Sequence, residues 1–443
     1  MKKSLLILVF ALVTMVSQGQ QKKWTLEECV AYALENNISV KQSELDVKVS
    51  EIGKKDAIGN FLPSLNASTS YGWNIGLSQD PVTFNAVTAT SKTLSGGVSS
   101  GVTLYNGLRN LNQLYRSNLE IISKQYQLDK MKDDISLLVA NSFLQILFNK
   151  ESLKVLESQQ SITQQQLKRT QDLVDAGSLP KGDLLEVQAT IASQEQQIVN
   201  AENAIQLSKI SLAQILLIED YQNFDTADSN YITPEPQILN QSVNAIVAKA
   251  KEVRYDIKIA ETNSELAQYD LKIAKGAYQP TLSGFYSFGT NYFTSELFET
   301  PNFKTQVSDN KGHSFGVQLS IPIFNGWAAS NNVERSKVNV ERSRFQLEQA
   351  NLDLETAVYQ AYNDVRGALK AYQASEKTLA ARQEAFNYSR ERYNVGLLNA
   401  FDFNQSQNQF ESAQSEVLRA KYDYTFKLKV LEFYFGIPIT NLN

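Results

Sequence analysis

Apolar residues recur at helical spacing through most of this chain, and at strict alternation in four short stretches. Residues 108–176 contain neither Gly nor Pro, the two strongest helix breakers, and residues 327–395 contain only Gly367. In the first run Leu111, Tyr115, Ile122 and Tyr126, then Ile135, Leu138, Val139 and Ile146, mark one helical face. Each run has 69 residues, so as helix it would be ~100 Å long, which requires coiled-coil packing. Gly177 and Gly396 end the runs, and helical periodicity resumes to Leu217 and to Phe435. Each half is therefore expected to hold a long helical hairpin, about residues 107–217 and 326–435. Shorter helices precede them. TLEECVAYALENN opens with Thr25 and Glu28 at capping-box spacing, and helix from 39 to 61 is stopped by Pro63. QSVNAIVAKAKEVR and a helix to Tyr278, stopped by Pro280, repeat this in the second half.

Between proline and long helix, each half alternates with period two. In NASTSYGWNIGL, Ala67, Thr69, Tyr71, Trp73, Ile75 and Leu77 oppose Asn, Ser and Gly. The spacing predicts strands over about 66–78, 94–105, 282–292 and 314–324, with Phe285 breaking the alternation. Such segments fit transmembrane β-strands, and they equally fit a soluble sheet with one face on a core. Long polar loops are expected at 78–93 and 293–312. Asn106-Gly107 alone would signal a tight hairpin turn. The next segment is helical, however, so Asn106, Gly107, Asn325 and Gly326 read instead as strand-to-helix junctions.

The halves are a tandem repeat of helix, strand, strand, long helix, helix. Asn106-Gly107 matches Asn325-Gly326 at a spacing of 219, as do Val139 and Val358, Gly177 and Gly396, Asp183 and Asp402, and Gln188 and Gln407. Pro63 and Pro280 are 217 apart, which puts a two-residue indel in the strand hairpin. The expected division is residues 1–19, 20–218, a polar connector at 219–240, and 241–443. Four strands do not close a barrel, and open edges in lipid leave backbone groups unsatisfied. If the strands lie in lipid the chain must oligomerise, and three copies would give one twelve-stranded barrel.

Composition narrows the class. MKKS followed by LLILVFALVTMV and Ser17-Gln18-Gly19 reads as a secretory signal peptide. No later apolar stretch is long enough for a membrane-spanning helix. The net charge of −5 does not suggest a nucleic-acid partner. One Cys, one His and 3 Met stand against 20 Tyr and 21 Phe, which favours architecture over catalysis. Cys29 lies on an apolar helix face and reads as core, and His313 reads as a barrel-rim residue. GSLPKGD lacks the ending of a phosphate loop. No enzyme activity, cofactor or metal is expected.

WTLEECVAYALENN, FLPSL, YQPTL, IPIFNGW and YNVGLLNAFDFNQSQ, in this order, resemble the TolC family of outer-membrane efflux and secretion channels. The resemblance spans nearly the whole chain after the signal. It implies a homotrimer whose β-barrel sits in outer-membrane lipid and continues into a periplasmic α-helical barrel. It also implies a periplasmic adaptor and an energised inner-membrane transporter as partners. Carried over by position, the family's carboxylates at the closed entrance fall on Asp402 and Gln405, with Asp183 and Glu186 equivalent in the first repeat. Gln405 departs from the acid. Asp402 and Asp183 could instead simply cap the returning helices. Gly177, Ser178, Leu179, Gly396, Leu397 and Leu398 are candidates for adaptor contact, unless the leucines fold back onto their own hairpins. The rival reading is a soluble periplasmic coiled-coil scaffold or adaptor.

Overall fold

The computed structural model describes residues 23–228 and 237–439. The signal segment 1–19 and the connector residues Pro234 and Pro236 lie outside the described residues. The first half runs β1 (Lys23–Trp24), α1 (Leu26–Asn36), α2 (Ile38–Gly59), β2 (Ser64–Gln79), β3 (Ala86–Asn106), α3 (Arg109–Asp175) and α4 (Lys181–Leu216). β4 (Asp225–Thr226) and a 3-10 turn (Gln237–Asn240) precede the second half. That half runs α5 (Val243–Val253), α6 (Tyr255–Lys275), β5 (Thr281–Ser295), α7 (Phe303–Asp309), β6 (Gly312–Ser320), α8 (Ala328–Asn394) and α9 (Ala400–Phe435).

The repeat is visible in the element boundaries. α3 and α8 each have 67 residues, and α4 and α9 each have 36. Every one of these boundaries recurs at 219, and α1 and α2 begin 217 residues before α5 and α6. Left-handed backbone recurs at the same spacing: Gly107 and Gly326, Leu108 and Trp327, Gly177 and Gly396, Leu217 and Gly436. α1 begins as its sequence implies, with the Glu28 amide donating to Thr25 Oγ1 at 3.2 Å and the Thr25 amide donating to Glu28 Oε2 at 3.1 Å.

Contacts divide the chain into two compact units, each built from both repeats. One comprises residues 45–126 and 258–348 and contains a four-stranded antiparallel sheet of order β2-β3-β5-β6. Its register puts the alternating residues of all strands on common faces. Val98 pairs with Ala67 and Phe288, Leu94 with Tyr71 and Tyr292, and Tyr286 with Phe315. Ser68–Gly97–Gly289 and Ser99–Ser287–Ser314 cross the other face. One face is thus apolar and aromatic, and the other is small and polar. The apolar face is bare in the single chain, with Trp73, Ile75, Phe315 and Val317 exposed. Phe285, which breaks the alternation, covers a gap on the small face: a methyl group on Gly316 would sit 3.1 Å from its ring. A methyl group on Gly97 would lie 2.7 Å from the Phe288 carbonyl oxygen, so glycine permits the close approach of β3 and β5.

The strands differ most from expectation at two ends. β3 begins at Ala86, not near 94, because residues 86–93 find ladder partners on β2 and part of β5 that their composition does not announce. The first loop shrinks to residues 80–85, turned by Asp80 Oδ1 accepting from the Val82 and Thr83 amides. β6 stops at Ser320, not 324, because its partner β5 begins opposite at Thr281, just after Pro280. The second loop holds α7, where Gln306 accepts from the Phe293 amide and donates to its carbonyl, standing in for a strand ahead of the start of β6. β2 and β6 are outer edges with no strand partner among the described residues.

The other unit comprises, among the described residues, 23–44, 127–228, 237–257 and 349–439. Its core is helical: Val139, Phe143 and Ile146 of α3, Leu212 and Leu216 of α4, Ile246 of α5, and Tyr424, Leu428 and Leu431 of α9 are all buried. Cys29 is buried there too, as its helix face predicts. Leu138, placed on the packed face by periodicity, stays exposed in the single chain, as do Leu111, Tyr115 and Ile122. The connector is not merely polar spacer. β4 pairs in parallel with β1, and Asp225 and Asp228 hold Lys150, Lys209 and Lys23 in one ionic cluster.

Hydrogen bonds and charge from Lys150 and Lys23 outweigh burial and hold the Asp228 carboxyl down at about 2. A depressed carboxylate contributes stability above its unfolded value, near 4, that is lost as pH falls through its folded value. Protection of the β1 and β4 amides from hydrogen exchange, taken against the intrinsic rate at each pH, should therefore fall between about pH 4 and pH 2. Asp228→Asn should show the faster exchange already at pH 7.

Candidate functional site

The tips of the two long hairpins carry most of the residues singled out from sequence. Each long helix ends in a Schellman turn. The Gly177 amide donates to the Val174 carbonyl and the Ser178 amide to the Leu173 carbonyl, and Gly396 and Leu397 repeat this onto Tyr393 and Arg392. Both glycines are left-handed, at φ +72° and +74°, where any other residue costs about 1–2 kcal/mol.

The returning helices start differently. α9 is capped by Asn399, whose Oδ1 accepts from the Asp402 amide at 2.8 Å and whose Nδ2 donates to Asp402 Oδ2 at 2.9 Å. α4 starts at Pro180 with no side-chain cap. Neither Asp402 nor Asp183 is therefore the cap itself. Both are first-turn acids, a position the helix dipole favours.

Beside them lies an open groove of about 930 Å³. Asp183, Glu186 and Gln405 line it together, and Asp402 is not among its lining residues. Arg382, Glu416 and Phe401 also line it and were not anticipated, although 401, 405 and 409 share one helical face. Three carboxylates against one guanidinium leave the groove acidic. Phe401 is 76% exposed there.

The tip residues separate. Gly177, Ser178, Gly396 and Leu397 are exposed, Leu397 by 69%. Leu398 instead packs onto a buried cluster of Phe386, Tyr393, Ala400, Phe403 and Phe410, so it belongs to the hairpin interior. The rings of that cluster stack closely, Tyr393 on Phe403 at 4.7 Å and Phe386 on Phe410 at 5.1 Å. Leu179 is half-buried.

The first junction joins strand directly to helix, whereas in the second β6 ends at Ser320, before Asn325-Gly326. Asn106 is the last residue of β3, Gly107 and Leu108 are left-handed, and α3 comes next. The Asn110 amide donates to Asn106 Oδ1 at 3.2 Å and the Ala329 amide to Asn325 Oδ1 at 3.4 Å. Gly107 also lies so close to Gly276 that any side chain would meet the Gly276 carbonyl.

Above the tips, a polar layer interrupts the helix core. Gln194 and Gln407 each donate to Thr163 Oγ1, at 3.1 and 2.8 Å, and to Glu411 Oε1, at 3.3 and 2.7 Å. Gln159, Thr163, Gln166 and Thr170 are buried at three- and four-residue spacing on α3, the sequence signal for this layer. Burial pushes the Glu411 carboxyl up, against the two glutamine donors. A raised carboxylate costs stability above its folded value and ceases to do so as pH falls to its unfolded value. Glu411→Gln keeps acceptors for both donors without the charge. It should raise the Tm at pH 7.5, by more than at pH 4, in calorimetry of the detergent-extracted protein.

The outer membrane efflux protein family profile matches residues 30–216 and 246–436. The proteases secretion protein PrtF of Dickeya chrysanthemi is 22% identical over 436 residues, covering 95% of this chain and 89% of PrtF. The cation efflux system protein CusC of Escherichia coli O157:H7 is 21% identical over 420 residues, covering 89% and 82%. The crystal structure of the outer membrane protein VceC from Vibrio cholerae superimposes with a TM-score of 0.77 at 14% identity, covering 94% of this chain and 96% of VceC.

Proposed function

The chain belongs to the outer membrane efflux protein family, the TolC-type channels its sequence resembles, and on that premise we propose how it works as an exit duct. It is an outer-membrane channel that extends into the periplasm. Three copies close their four-stranded sheets into one barrel, with the apolar face in lipid and the small polar face on the lumen. A periplasmic adaptor and an inner-membrane transporter engage the helical end, and the transporter supplies the energy. The observation that carries this reading is the sheet register. It gathers the aromatic and aliphatic alternates of all four strands on one bare face and leaves both edges open. A soluble scaffold has no place for that face. PrtF and CusC are named for proteases and for cations, so the duct itself is compatible with very different cargo.

At the periplasmic mouth, Asp402, Asp183 and Glu186 form a threefold acidic constriction, with Gln405 neutral between them. Such a ring favours cations. The test begins with membrane fractionation: the protein should be in the outer membrane, run as a trimer unheated and as a monomer after heating. In planar bilayers the trimer should conduct and prefer cations, and Asp402→Asn should lower that preference. A soluble monomer sinks the duct, and an unchanged permeability ratio sinks the ring.

The adaptor contact is assigned to Gly177, Ser178, Gly396 and Leu397, with Leu398 and Leu179 as support from within. Leu397→Glu should abolish export while the trimer persists on unheated gels. Leu398→Glu should instead destabilise the hairpin, by about 2 kcal/mol or more.

A further inference from the structure

The polar layer above the tips is one hydrogen short of satisfying its own acceptors. It joins α3 through Gln159 and Thr163, α4 through Gln194, and α9 through Gln407 and Glu411. The Thr163 hydroxyl donates to the Gln159 carbonyl at 3.2 Å. Gln159 Nε2 donates to the Glu411 carbonyl and to Gln414 Oε1. Both amide hydrogens of Gln194 and both of Gln407 go to Thr163 Oγ1 and Glu411 Oε1. Every side-chain hydrogen of these four residues is then spent. Gln194, only 4% exposed, keeps a buried Oε1 with no partner. The group beside it that can supply a further hydrogen is Glu411, and only as the neutral acid.

No neighbouring charge compensates an ionised Glu411. The charged side chains nearest along the packed helices are Glu157 on α3, Glu195 on α4, Arg382 and Glu384 on α8, and Glu416 on α9, and all are exposed. Arg382 donates to Gln409 Oε1 instead. Burial favours the neutral acid, and the two glutamine donors oppose it. Nor does the hairpin architecture require this layer. At the repeat spacing of 219, Thr163, Gln194 and Glu411 correspond to Arg382, Ala413 and Ala192. The same hairpin is therefore built once with the layer and once without it.

Resting on the duct reading above, we propose that Glu411 is a proton-operated latch. Neutral, it donates to Gln194 Oε1 and ties α9 to α4 and α3. Ionised, it leaves that oxygen unpaired and gives α9 freedom to shift. The first turns of α9 carry Asp402 and present Phe401 and Gln405 to the acidic groove. Falling pH thus stiffens the periplasmic end of the duct, and rising pH loosens it. The direction follows from linkage: the tie is complete near the ordinary carboxyl value of 4.5 and is lost as pH rises through the raised value.

Hydrogen exchange on the detergent-extracted protein tests the latch. Protection of the α4 and α9 amides around Gln194 and Gln407, taken against the intrinsic rate at each pH, should rise several-fold from about pH 8 to about pH 4.5. The gain is about tenfold for each unit by which the carboxyl is displaced. Glu411→Gln places an amide N–H where the acid carries its proton, so it should show the higher protection throughout. In planar bilayers at about pH 7.5 it should also switch between conductance levels several-fold less often than wild type, and the two should coincide at about pH 4.5. Wild-type protection that does not change with pH, or that changes equally in Glu411→Gln, overturns the latch and leaves the duct standing. A wild-type protein that keeps the pH-dependent protection but forms no channel overturns the duct, and with it the action of the latch on the mouth.

Discussion

An open sheet edge cannot persist in hydrocarbon, and this constraint organises the molecule. Each unpaired amide or carbonyl there costs several kcal/mol, on the order of a lost hydrogen bond without water to replace it. β2 and β6 present such edges, on a sheet whose one face is mainly aromatic and aliphatic. A single chain therefore cannot be the working unit in lipid. On the reading proposed above, the bare apolar face and the two open edges are satisfied together, by lipid on one side and by further copies along the rim.

The junctions transmit that requirement to the helices. Two successive left-handed residues, Gly107-Leu108 and Gly326-Trp327, lead into each 67-residue helix, directly from β3 in the first repeat and seven residues after β6 in the second. A rigid joint of this kind fixes the direction in which each helix leaves the sheet. The cost of a left-handed leucine or tryptophan, about 1–2 kcal/mol each, is accepted at the same place in both repeats.

The repeats nevertheless diverge where their tasks differ. The second hairpin tip is stiffened by stacked rings of Phe386, Tyr393, Phe403 and Phe410, while the first has aliphatic residues at the equivalent sites. The core between them is polar at Thr163, Gln194, Gln407 and Glu411. Glutamine hydrogen bonds there hold a carboxylate that burial disfavours in its charged form. This polar layer lies on the same helices, α4 and α9, that line the acidic groove.

The repeat, the helix limits, the strand-to-helix junctions and the alternating faces were all legible in the sequence. They depend on local rules: breaker-free runs, period-two alternation and the left-handed preference of glycine act within a few residues. The site was legible only in part. Asp183, Glu186 and Gln405 do share a groove, but Phe401, Arg382 and Glu416 join them through packing of α4, α8 and α9 that no local pattern encodes. Leu397 and Leu398 are neighbours with the same side chain, and only the fold decides that one is exposed and the other is core. Strand ends escape local pattern for the same reason: a ladder ends where its partner ends, as β6 does opposite Thr281. Sequence determined the identity of each segment, because backbone preference is local. Tertiary structure decided the surroundings of each segment, because burial and pairing depend on residues hundreds of positions away.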